Sequence, residues 1–107
     1  MQIITAMRYG VRPDGTSIGP PMPVDAYRDM SDEDLTAIAR YLHTIKPVRH
    51  QVGRTRCINP PAAHDLTVAN VVAPPRQDRL AYGAYLAGPV GHCYGCHTVF
   101  RPDKSST

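Results

Sequence analysis

Cys93-Tyr94-Gly95-Cys96-His97, close to the C-terminal end of a 107-residue chain, sets two thiols three positions apart and follows the second with an imidazole. This is the sequence form of covalent c-type haem attachment. Two sulfurs at that spacing meet the vinyl-derived carbons on one edge of a porphyrin, and the adjoining histidine turns under the plane to bind iron through a ring nitrogen. In a chain with only three cysteines the pattern is specific. It predicts Cys93 and Cys96 as anchors of a haem c and His97 as the proximal iron ligand.

Two other chemistries compete for the same cysteines. A thioredoxin-like redox pair needs a βαβ setting, and no strand pattern precedes Cys93. A structural zinc site could draw on Cys57, His64, Cys93 and Cys96, with His92 or His97 as substitutes. Against it, six residues separate Cys57 from His64, outside the usual tight pairing. Cys57 reads more simply as a single thiol in a connector, and His43, His50, His64 and His92 as solvated surface residues.

Upstream of the motif, residues 76–87 have helical composition, with Leu80, Ala84 and Ala87 on one face and Gly83 offering a place for close backbone approach. Residues 47–75 read as a connector, with Pro60-Pro61 and Pro74-Pro75 bracketing the short apolar run of 66–73. Val68-Ala69-Asn70-Val71-Val72 could form a strand, but nothing else in the chain offers it a partner.

The best-marked helix opens at Ser31, which can cap free backbone amides while Asp34 reaches back in a capping box. Met30 and Leu35 occupy the staple positions, and Asp32, Glu33 and Asp34 put negative charge at the positive end of the helix dipole. Leu35, Ile38, Ala39, Leu42 and Ile45 form one apolar stripe, and Pro47 ends the helix. Ahead of it, residues 9–23 are dense in turn formers and predict a shaped loop. Pro20, Pro21 and Pro23 surround Met22 with stiff, extended backbone.

Composition narrows the function classes. Eleven prolines are about twice the usual share of ~5%, so short helices joined by loops are expected. The net charge of +3 is mild and the basic residues are scattered, which argues against a nucleic-acid partner but leaves room for docking to an acidic redox protein. The first eight residues lack the basic and apolar regions of a signal peptide, and no stretch approaches the ~20 apolar residues of a membrane span. Covalent haem attachment belongs outside the bacterial cytoplasm, so the expected start lies upstream, or else the chain never reaches its haem.

The stretch Tyr82-Gly83-Ala84-Tyr85-Leu86-Ala87-Gly88-Pro89-Val90-Gly91-His92-Cys93-Tyr94-Gly95-Cys96-His97-Thr98 resembles the start of a haem domain in the diheme and triheme cytochrome c subunits of membrane-associated bacterial dehydrogenases. Gly10-Val11-Arg12-Pro13-Asp14-Gly15, then Pro20-Pro21-Met22-Pro23, then Ser31 to Leu42, resemble the other end of such a domain. The resemblance implies Met22 as a distal iron ligand, of a neighbouring haem or the same one, with Met7 and Met30 as rivals. It also places Gly83 and Tyr41 where the terminal helices of a haem domain cross.

The methionine loop precedes the haem motif, the reverse of a single domain. Two half-domains account for this order. Residues 1–50 would be the C-terminal half of one cytochrome c domain, 51–75 a linker, and 76–107 the N-terminal half of the next. A circular permutant in which Met22 and His97 serve one iron is the alternative. The expected fold is all-α and cytochrome c-like, with short helices and long loops, and incomplete. The resemblance implies a non-enzymatic electron carrier, periplasmic or on the periplasmic face of the inner membrane. It would pass electrons from a dehydrogenase subunit to a quinone-linked complex or an oxidase. A zinc-binding module and a fragment without function stand as the other readings.

Overall fold

The computed structural model describes residues 1–53 and 66–97. These residues form short α-helices joined by loops, with no strand among them apart from an isolated bridge between Val11 and Ser17. The architecture is all-α with long loops, as expected from a sequence so punctuated by proline and glycine.

Helix α1, Gln2–Tyr9, was not expected from the sequence. Ile3, Ile4 and Met7 lie on one side of it and pack into the core, and Gly10 closes it in the left-handed conformation. A loop through the cis Pro20–Pro21 bond leads to the single turn α2, Val24–Tyr27. Helix α3, Asp32–Thr44, follows with the predicted N-cap: the Asp34 N–H donates to Ser31 Oγ at 3.1 Å. The staple also forms, since Met30 and Leu35 are the two most deeply buried side chains, at 1% and 0% exposure.

Helix α4, Arg79–Tyr85, is capped by Asp78, whose carboxylate accepts the Ala81 N–H at 3.0 Å. Its buried face is not the predicted one. Leu80 is 87% exposed and Ala84 is exposed, whereas Tyr85 is buried and Tyr82 packs beside the core. The tyrosines win because their rings carry more apolar area and Tyr85 has a partner for its hydroxyl. After α4 the chain widens into a π-helical turn, Leu86–Val90, which leads to helix α5, Tyr94–His97. Pro89 supplies the reason: it has no N–H to donate and its ring crowds the carbonyl four residues back.

One core serves both ends of the chain. Met7, Met30 and Leu35 meet Tyr85, with Met22, Tyr27 and Ala73 packed around them. Residues 66–75 form no strand; they run along α1 and α3, where Val71 O accepts the Asp32 N–H at 2.9 Å and Val68 O accepts the Tyr9 hydroxyl at 2.7 Å. The predicted stripe of α3 is covered only in its first half: Leu35 and Ala39 are buried, but Leu42 and Ile45 are exposed. Gly83 and Tyr41 do not meet: nothing lies within 4 Å of the position a Gly83 Cβ would take, and Tyr41 is 67% exposed.

Candidate functional site

The π-helical turn delivers the cysteines. Gly91 N–H reaches back to Leu86 O at 2.8 Å and Cys93 N–H to Ala87 O at 2.8 Å, so the backbone comes off α4 wider than an α-helix would. A side chain at Gly91 would meet Leu86 O at 2.7 Å and Cys93 Sγ at 3.3 Å, which leaves glycine as the residue that fits. His92 then takes a left-handed φ of 54°, turning the chain into α5.

Helix α5 is one turn closed by the His97 N–H on Cys93 O at 2.9 Å. Its geometry places Cys93, Cys96 and His97 in succession around a single turn, with both thiols free and all three residues exposed. Free thiols and an exposed imidazole are the donor set that covalent haem attachment uses, so the residues present fit that group. One further group lies next to the motif: His92 Nε2 is buried and has no hydrogen-bond partner among the described residues, while its ring meets Tyr27 edge-on at 4.6 Å. His92, expected at the solvated surface, is half-buried instead.

Met22 lies in the loop between Pro21 and Pro23, half-buried against the core, and its N–H donates to Gly19 O at 3.3 Å. Its rivals are placed differently. The Met7 and Met30 side chains are buried within the core cluster. Among the described residues no three His, Cys, Asp or Glu side chains converge to hold a metal ion. Cys57 and His64, the other half of the zinc alternative, lie outside the described residues.

Two polar clusters gather neighbouring elements onto the start of α3, and periodicity gives no sign of either. Arg8 is 3% exposed and ties α1 to α3, donating to Asp32 at 2.6 Å and to Met30 O at 2.7 Å. Tyr85 ties α4 to α3. Its hydroxyl accepts the Ser31 N–H at 3.0 Å, lies 3.1 Å from Ser31 Oγ and donates to Asp34 Oδ2. The expected capping box is therefore completed by a third residue, since the N-cap amide goes to the tyrosine and not to Asp34. Burial, and then the adjoining Asp34 carboxylate, push the Tyr85 phenol above its ordinary range.

No family model matches the chain. Individual proteins do. It is 33% identical over 109 residues to the cytochrome c subunit of a quinone alcohol dehydrogenase from Gluconacetobacter polyoxogenes, covering 87% of this chain and 22% of that one. It is 31% identical over 121 residues to the fructose dehydrogenase cytochrome subunit of Gluconobacter japonicus, covering 98% and 25%. It is 35% identical over 106 residues to the gluconate 2-dehydrogenase cytochrome c subunit of Pantoea cypripedii, covering 87% and 24%. The chain thus spans about a quarter of the length of these relatives or slightly less, 22 to 25%.

Proposed function

We propose that this chain, a relative of the cytochrome c subunits of bacterial dehydrogenases, holds a haem c covalently on Cys93 and Cys96 with His97 as proximal iron ligand. The observation that carries the reading is the single exposed turn on which two free thiols and an imidazole follow one another. Haem c supplies reversible one-electron chemistry when bound. The chain's residues anchor and orient it, so the protein acts as an electron carrier and not as a catalytic subunit. Its donor is a dehydrogenase subunit and its acceptor a quinone-linked complex or an oxidase, in the periplasm or at the periplasmic face of the membrane. Among the described residues no helix is long and apolar enough to cross a membrane.

The order of the segments is read as two half-domains: 1–50 ends one cytochrome c domain, 51–75 links, and 76–107 begins the next. The position of the Met22 loop ahead of the Cys93 motif supports this, since it is the reverse of their order within one domain. Met22 is assigned as distal ligand in the first of those domains, its rivals being committed to the core. A methionine opposite histidine raises the potential, so Met22→Ala should lower it in a redox titration of a haem-loaded protein containing both domains.

The test of attachment is a pyridine haemochrome spectrum of the chain exported to the periplasm alongside haem-attachment machinery. A c-type band that survives acid-acetone extraction is expected, and its loss in Cys93→Ala/Cys96→Ala. A colourless product that retains zinc would replace this reading with a structural metal site.

A further inference from the structure

We propose that Tyr85 is a positioning residue that docks the haem-attachment segment onto the N-terminus of α3, so that the motif and the methionine loop move as one body. What the two segments carry rests on the function proposed above; the docking itself rests on the contacts. Tyr85 lies eight positions before Cys93, and Ser31 lies nine after Met22. The phenol is 6% exposed and Ser31 2%, so water does not supply either with a substitute partner. One hydroxyl satisfies the Ser31 N–H and donates to the Asp34 carboxylate, joining two groups of the helix cap to a residue 54 positions from Ser31.

A second contact joins the same two segments elsewhere. The Tyr27 ring, five positions after Met22, meets the His92 ring, next to Cys93, at 4.6 Å between centroids. One contact alone would leave the segments free to pivot. Two contacts, one on α4 and one just after the π-helical turn, resist rotation as well as separation. In an electron carrier with iron sites on both segments, that rigidity would hold the distance between them constant.

The ring and the hydroxyl of Tyr85 separate experimentally. Tyr85→Phe keeps the ring's packing and removes the hydrogen bonds, leaving the buried Ser31 N–H without a partner. In native-state hydrogen exchange on the full chain, Ser31 should lose protection by a factor of about 5 to 30, a loss of the size expected for one buried polar group. A double-mutant cycle of Tyr85→Phe with Asp34→Ala should be non-additive by more than about twofold in the unfolding equilibrium. Unchanged Ser31 protection or simple additivity would overturn the proposal and leave Tyr85 as an apolar packing residue.

Should Tyr85→Phe fail to fold, Asp34→Ala alone decides the matter. The highest-titrating tyrosine, followed by its ultraviolet absorbance, should then move towards the ordinary range, and no movement would overturn the docking. A haemochrome spectrum of the same preparations separates this inference from the functional reading. Haem absent throughout with the coupling intact removes the reading of the motif and leaves the docking standing.

Discussion

The two halves of helix α3 share one periodicity and meet different fates. Leu35 and Ala39 in the first half are buried, and Ile38 packs beside them; Leu42 and Ile45, continuing the same stripe, face solvent at 42% and 50% exposure. The first half is gathered by α1 through Arg8, by α4 through Tyr85 and by residues 66–75 through Val71. An apolar stripe states which face a helix can bury. Whether anything covers that face depends on the rest of the chain.

The sharpest test of this difference is a matched pair of truncations. Leu35→Ala should cost about 2–5 kcal/mol in urea unfolding, because the side chain is fully buried and its cavity has little room to collapse. Leu42→Ala should fall far below that. Parity between them would erase the distinction between covered and uncovered halves.

Arg8→Met probes what gathers the covered half. It keeps much of the side chain's bulk but strips partners from Asp32 and from the Met30 carbonyl, and should cost about 1–3 kcal/mol. A neutral result would mean that apolar contacts alone hold α1 against α3. Ser31→Ala removes the cap and should cost about 0.5–2 kcal/mol by the same measurement.

Alkaline pH acts at the same place. The Tyr85 phenol titrates above its unfolded value of 10.0, so the folded state holds its proton more tightly. That contribution is fully present below pH 10.0 and is lost as pH rises through the folded value. Unfolding midpoints should therefore decline more steeply in the wild type than in Tyr85→Phe above that pH. The smallest effect is expected at the uncovered end, where Ile45→Ser should change stability by no more than about 0.5 kcal/mol.

Much of α3 was legible because its signals are local. The cap of Ser31 on the Asp34 amide, the staple of Met30 and Leu35 and the stop before Pro47 need only residues within a turn or two. Helix α1 had local signals too, in the spacing of Ile3, Ile4 and Met7 and in Gly10 just past its end. The buried face of α4 had none that could be trusted. Leu80, Ala84 and Ala87 make a plausible apolar side, but Tyr85 is drawn inward by a hydrogen-bonding partner more than fifty residues away, at a separation of 54 for the Ser31 amide.

The motif at Cys93, Cys96 and His97 was read entirely from residue type and spacing, since its chemistry is confined to one turn of chain. The sequence by itself determined the helical class and the capped start of α3, through signals between near neighbours, and it named the donor set proposed for the site. Tertiary structure decided which faces are covered, that Arg8 is buried and that a tyrosine from the segment leading to Cys93 completes the cap of α3. The physical reason is that a buried polar group must find a partner wherever the folded chain brings one, and that requirement has no period along the sequence.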